Sequence, residues 1–210
     1  MIYKPRDAYF EKAKREGYRS RAAYKLLELQ KRFRIIHPGD RVVDLGAAPG
    51  GWLQIAAKLT GPRGKVLGVD LQPIEPFGPV NVIVLQLDIT SADARTRISD
   101  ALGGPADAVI SDAAPKLTGI RATDAARALE LNLTALRIAV EVLRPGGSLL
   151  VKGFAGPDFE TFVQDLKRYF RSIQRTKPEA TRKGSSEIYI AAKDLYRRRD
   201  RGADEGDARA

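Results

Sequence analysis

The chain has 210 residues, 43% hydrophobic and 30% charged, which is enough for one domain with a buried core. No cysteine and one histidine, His37, rule out disulfides, thiolate metal sites and His-cluster metal sites, and leave a Ser-His-Asp triad without support. The formal net charge is +10, and no apolar run is long enough to span a bilayer or to serve as a signal sequence, so a cytoplasmic protein with an acidic partner is expected.

Residues 1–34 hold eleven Lys or Arg against four Asp or Glu. Tyr3, Tyr9, Phe10, Tyr18 and Tyr24 are interleaved with them, a pattern suited to a phosphate backbone with stackable bases. The alternative is a solvated helix whose aromatics dock on the core. Residues 1–17 read as a basic arm or a loosely packed helix. Ser20 is placed to cap a helix through Ala22, Tyr24, Leu26, Leu27 and Phe33, and periodicity alone exposes Lys25 within it. His37 to Asp40 is a turn.

The first strand is predicted over Arg41 to Leu45, and a helix follows Gly51 until Gly61-Pro62-Arg63-Gly64 stops it. Lys65 to Asp70 and Val82 to Gln86 are predicted strands, separated by a Pro-rich loop with Pro73, Pro76 and Pro79. Ser91 to Leu102 is predicted helical, Ala106 to Asp112 a fourth strand, and Thr123 to Leu143 a long amphipathic helix closed by Arg144-Pro145-Gly146-Gly147. Ser148 to Lys152 is a fifth strand, Asp158 to Tyr169 a helix, and Ser172 to Thr176 and Glu187 to Ala192 closing strands. Alternating strands and helices predict a mostly parallel sheet covered on both faces, with ligands at the carboxyl ends of its strands. The expected organisation is an arm over 1–17, one domain over 18–193 and a charged, disordered tail over 194–210.

The most informative stretch is Asp44-Leu45-Gly46-Ala47-Ala48-Pro49-Gly50-Gly51-Trp52. It is a strand end, a tight turn and a helix start. Gly46, Gly50 and Gly51 let the backbone approach a ligand, and the helix offers free amides. The spacing is not G-x-G-x-x-G, which argues against a nicotinamide oxidoreductase. Acids recur at strand ends as Asp44, Asp70, Asp88 and Asp112. Asp70 lies twenty residues after Gly50, the spacing at which an acid meets ribose hydroxyls. Asp88 either accepts from an adenine amino group or closes a turn. Trp52, the single tryptophan, fills the core, which is compatible with ligand contact. Lys152 is a lysine ending an apolar strand at the ligand edge, an unusual placement.

These segments together resemble the FtsJ-like (RrmJ-type) ribosomal-RNA 2′-O-methyltransferases. The glycine motif resembles the family's cofactor motif, and Ser20-Arg21-Ala22-Ala23-Tyr24-Lys25-Leu26 its first helix. Ser111-Asp112-Ala113-Ala114-Pro115, Val151-Lys152-Gly153-Phe154 and Ser185-Ser186-Glu187-Ile188-Tyr189 resemble three later motifs, in order. The resemblance implies a single Rossmann-like domain with a mostly parallel seven-stranded sheet and S-adenosylmethionine as cofactor. It implies a catalytic tetrad of Lys25, Asp112, Lys152 and Glu187, with Lys152 as proton acceptor. It also implies that Gly50, Trp52, Asp70, Asp88 and Asp112, beside Gly46, hold the cofactor.

In that scheme the ribose 2′-hydroxyl must be positioned and deprotonated, and no metal is required. Lys25 nearby and partial desolvation would favour the neutral form of Lys152, while Asp112 and Glu187 orient the lysines and the ribose. The implied substrate is a uridine of large-subunit ribosomal RNA, modified by a monomer. Transfer RNA is the alternative substrate, and a non-catalytic RNA-binding or ribosome-assembly factor the alternative function. RNA would be gripped by the segment from Lys4 to Arg34 and by Arg168, Arg171, Arg175, Lys177, Arg182 and Lys183.

Overall fold

The computed structural model describes residues 8–196 apart from 77, 79, 116, 117 and 183. Calls on the sequence at residues 1–7, Pro79, Lys183 and 197–210 lie outside these. In chain order the elements are α1 (Ala8–Arg15), α2 (Ala22–Phe33), β1 (Arg41–Leu45), α3 (Gly51–Thr60), β2 (Lys65–Asp70), β3 (Val82–Gln86) and α4 (Ala94–Leu102). They continue as β4 (Ala106–Ser111), α5 (Arg121–Val142), β5 (Leu143–Phe154), α6 (Pro157–Lys167), β6 (Phe170–Thr176) and β7 (Glu187–Leu195).

The seven strands form one sheet in the order β3-β2-β1-β4-β5-β7-β6. All neighbouring pairs are parallel except those of β7, which runs antiparallel to both β5 and β6. The central strands are largely apolar because both faces are covered, with Asp44 in β1 and Lys152 in β5 as buried exceptions. One face buries Val43, Leu67, Val109 and Val151 beneath residues of α4, α5 and α6. The other buries Val42, Val66, Ile110 and Leu150 beneath α2 and α3. The chain reverses its winding between β1 and β4, and at such a switch point the carboxyl ends of the strands open a crevice.

Three boundaries depart from expectation. β5 begins at Leu143, because Leu143 pairs with Ala106 across a register shift, so Pro145, Gly146 and Gly147 lie inside the strand and not in a closing turn. β7 runs to Leu195, past the expected boundary at 193, and the Tyr196 amide donates to the Tyr169 carbonyl at 2.9 Å. Ser20 does not cap α2: the N-cap is Arg21, without a side-chain hydrogen bond. A Cβ on Gly51 would fall 2.2 Å from Ser20 Oγ, so Ser20 instead packs against the start of α3.

From Ala8 onward the basic amino-terminal segment is integrated into the fold. Tyr24 packs against Tyr9 and Tyr18 with ring centroids 5.6 and 5.5 Å away, and the buried Ala13 and Ala180 join them. This is the docked-aromatic alternative, and among these rings Tyr9, Tyr18 and Tyr24 do not form an open stacking platform. Phe10 is 56% exposed. Arg19 donates to the carbonyls of Pro49, Glu75 and Pro76, tying the glycine turn to the Pro-rich loop. Arg21 donates to the Ala180 carbonyl.

Candidate active site

The turn after β1 is shaped for close backbone contact. Gly46 has φ 77° and Gly50 φ 107°, both in the left-handed region. A Cβ on Gly46 would lie 2.7 Å from the Ala113 backbone, so β1 and β4 can meet here only through glycine. Gly50 caps α3 without any side-chain hydrogen bond, leaving the first amides of the helix available to a ligand.

Acids surround this turn. Asp44 is fully buried, and neither of its carboxylate oxygens has a hydrogen-bond partner among the described residues. Burial holds its carboxyl well above the ordinary carboxylate range, and the Asp112 and Asp70 carboxylates add to the effect. An orphaned buried carboxylate is costly unless a cation or donor arrives. Asp70 closes β2 and accepts from the Ala48 amide at 2.9 Å and the Gln72 amide at 2.8 Å, which fixes it against the glycine turn. Asp88 is exposed and accepts from the amide and hydroxyl of Thr90 at 2.8 and 2.7 Å, contacts that hold its carboxyl below the usual range. That is the turn role. Trp52 is 3% exposed and donates from Nε1 to the Ala22 carbonyl at 2.8 Å, the core-filling role.

The four residues named as a tetrad come together. Lys25 is 8% exposed, where periodicity alone exposed it, because α2 presses that face onto the sheet. Its Nζ donates to Glu187 Oε2 at 2.7 Å and to the Tyr189 hydroxyl at 3.1 Å. Tyr189 in turn donates to Asp112 Oδ1 at 2.6 Å. Lys152 is 5% exposed, lies 2.9 Å from the same Asp112 oxygen, and donates to the Asp112 carbonyl at 2.6 Å. Strand register explains the assembly: Lys152 pairs with Tyr189 and Phe154 with Glu187 across β5 and β7, so all four project to one face. Asp112 follows β4 directly, and Lys25 comes down from α2.

Each lysine therefore has its own carboxylate, and Tyr189 joins the two pairs. Tyr189 is the member of this network that residue-by-residue reading missed. The available signal was its position two residues beyond Glu187, which in a strand places both on one face. Burial and the Asp112 and Glu187 carboxylates push its hydroxyl pKa up, so it stays protonated and able to donate. Replacing Tyr189 with Phe should cost about 1–2 kcal/mol of stability, because the half-buried Asp112 carboxylate and the buried Lys25 amine each lose a partner. Thermal unfolding checks this, and the rate should fall less than on loss of either lysine.

Taken together, the edge offers a cradle only glycine permits, free helix amides, an orphaned anion at Asp44 and a carboxylate at Asp70. These fit a nucleoside ligand that carries positive charge, with Lys152 and Lys25 gathered beside it. A doubly wound seven-stranded sheet with β7 reversed between β5 and β6, and this turn after β1, defines a Rossmann-like methyltransferase domain.

The chain belongs to the FtsJ-like methyltransferase family, which it matches over residues 18–195. It is 53% identical over 195 residues to the ribosomal RNA large subunit methyltransferase E of Methanothrix thermoacetophila, covering 93% of this chain and 75% of the relative. It is 48% identical over 190 residues to the protein of the same name from Syntrophobacter fumaroxidans, covering 90% and 96%. Among solved structures, a Plasmodium falciparum protein described as a ribosomal RNA methyltransferase superposes with a TM-score of 0.75 at 27% identity, covering 86% of this chain and all of that one.

Proposed function

We propose that this methyltransferase uses S-adenosylmethionine to methylate a ribose 2′-hydroxyl of large-subunit ribosomal RNA, at a uridine. The observation that carries the reading is the continuous network Glu187–Lys25–Tyr189–Asp112–Lys152 beside the glycine turn. The names of the similar proteins supply the substrate class.

S-adenosylmethionine, when bound, supplies a methyl group on a cationic sulfur. Gly46 and Gly50 would let the backbone close on it, Asp70 would accept from its ribose, and Asp44 would meet one of its cationic groups. Trp52 supports this wall from behind by fixing α3 to α2. Asp88 has an unused carboxylate oxygen for an adenine amino group, since the contacts from Thr90 fall on Oδ1.

On the substrate side Lys152 Nζ would take the 2′-hydroxyl proton. Asp112 holds that nitrogen in place, and Lys25 with Glu187 steadies the far end of the network. The buried setting excludes water that would compete for the proton.

RNA would be gripped by exposed basic residues around the edge. Several of the cations named for this role also have protein partners: Arg168 with Asp165, Arg175 with Glu160, Arg171 over the Tyr196 ring, and Lys177 with the Ser185 carbonyl. All four are exposed, so phosphates can compete for them.

The test is incubation with labelled S-adenosylmethionine and large ribosomal subunits lacking ribose methylation, beside transfer RNA. Label is expected in ribosomal RNA at a uridine whose 3′ linkage then resists alkaline hydrolysis. RNA binding without any transfer would establish the assembly-factor alternative.

A further inference from the structure

A cleft of about 590 Å³ lies at the amino edge of the sheet, where β1, β2 and β4 begin. β1 to β4 run parallel, so this edge is the opposite one from the glycine turn and the lysine network. Ser148 pairs with Ala108, next to Asp107 in the cleft wall, and Lys152 follows further up β5. The cleft is therefore about 15 Å from Lys152 along the strand direction.

Arg41 and Arg63 line the cleft, and both are exposed. Neither guanidinium has a hydrogen-bond or ion-pair partner among the described residues, and neither belongs to the cations named above for RNA. Arg41 is nonetheless held in place. Its amide donates to Asp107 Oδ2 at 2.8 Å, and a Cβ on Gly104 would fall 2.9 Å from Arg41 Nη1, so the guanidinium rests on a surface that glycine leaves open. The third cation, Lys65, is occupied: its Nζ donates to the carbonyls of Ala101 and Leu102 at 2.9 Å each, closing the carboxyl end of α4. Asp107 is the one acid in the wall among the described residues, and Arg144 Nε already donates to it at 2.6 Å. Two positive charges are thus left uncompensated. Beside them stands an aliphatic wall, with Ile83 exposed and Val80 97% exposed.

Free guanidinium groups next to exposed aliphatic side chains suit a ligand that joins an anion to an apolar face. A nucleotide unit of RNA is such a ligand: its phosphate accepts from arginine, and its sugar and base can lie on the aliphatic wall. The formal net charge of +10 favours a polyanion over an acidic protein segment.

We infer that this cleft binds a second stretch of the substrate RNA by its backbone, at the edge away from the reacting ribose; that the polyanion is this RNA rests on the function proposed above. The nucleotide at Lys152 cannot also fill the cleft, so the contact belongs to another part of the folded RNA. Arg41 and Arg63 position the substrate and take no part in the chemistry. Two contacts on opposite edges select a folded ribosomal RNA over a short strand, because only the former spans both.

The experiment has two arms. The double variant Arg41→Gln, Arg63→Gln removes both charges from exposed positions, and thermal unfolding checks that it folds. Its KM for unmethylated large subunits should rise about tenfold, with kcat and cofactor Kd unchanged. The slope of log KM against log salt should fall by about 1–2, the signature of lost phosphate contacts. In the second arm Val80 is replaced by a photoreactive benzophenone amino acid in the otherwise wild-type protein, which is irradiated with large subunits. A crosslink to ribosomal RNA is expected.

A folded double variant with wild-type KM and salt slope would overturn the inference, and would be the result for a cleft that takes a free nucleotide or phosphate. Crosslinks to ribosomal protein alone, or none, would overturn it as well. The crosslink needs no turnover, so it decides the cleft even where the double variant does not fold. A wild-type protein that crosslinks to RNA but methylates none would instead strike the underlying function.

Discussion

Lys152→Ala is expected to abolish methyl transfer while leaving the cofactor bound as before. Loss of a general base costs about 10²–10⁴-fold, and this truncation also takes one of two partners from Asp112 Oδ1, which lies 2.9 Å from Lys152 Nζ. The expected loss is therefore at the upper end of that range, close to the detection limit of a radiolabel assay. Cofactor titration by calorimetry supplies the contrast, because Lys152 stands on β5, away from the glycine turn between β1 and α3. Lys152→Arg should not rescue the activity, since a guanidinium stays protonated. A Lys152→Ala enzyme with near-normal turnover would remove the proton transfer proposed for this side chain.

Asp44→Asn separates stability from binding. In the free protein the carboxyl is held above its unfolded-state value by burial. The folded state then binds that proton more tightly than the unfolded chain. Its contribution to stability is fully present below the unfolded value, near ~3.9, and is lost as pH rises through the raised folded value. An amide in its place removes this loss, so the free variant should melt higher than wild type near neutral pH.

Cofactor binding should move the other way. A cationic ligand favours the ionised carboxylate, so wild-type affinity rises with pH across the same window and binding releases a proton. Asp44→Asn should weaken the Kd by about 10–100-fold, the worth of one charge-assisted contact, and flatten that pH dependence. Calorimetry in buffers of different ionisation enthalpy measures the released proton directly. Unchanged affinity together with an unchanged pH profile would place the cationic group of the ligand elsewhere.

The sheet was legible in sequence wherever apolar runs ended in glycine, proline or an acid. Arg41 to Leu45, Lys65 to Asp70 and Val82 to Gln86 are strands over the expected residues. Pro145-Gly146-Gly147 misled because turn residues were read locally, whereas pairing of Leu143 with Ala106 draws them into the strand. Lys25 was hidden for a different reason. Helical periodicity reports which residues are apolar, and a lysine buried against a carboxylate breaks that code. Only likeness to known motifs recovered it.

Ser20 is a local signal overridden by packing, since the Gly51 contact occupies the position from which it would cap. The surplus of positive charge near the amino terminus was legible, but its division of labour was not. Arg19 and Arg21 hold carbonyls and Lys25 holds Glu187, so part of that charge serves the fold and the site. Tyr189 carried no mark beyond its strand spacing from Glu187, because hydrogen bonding between distant segments is invisible to composition and spacing.

The lysine on α2 and its carboxylate partner on β7 are 162 positions apart along the chain. β6 pairs in the sheet only through β7, so these two strands must dock on β5 as a hairpin. Closing so long a loop costs more chain entropy than forming nearer contacts. A molecule folded through its first five strands would already possess the glycine turn and Asp112, yet Lys25 would lack both its counter-charge and its phenol. The parts proposed to bind a nucleoside thus lie within the first five strands, and the hairpin supplies the partners of Lys25 that complete the network.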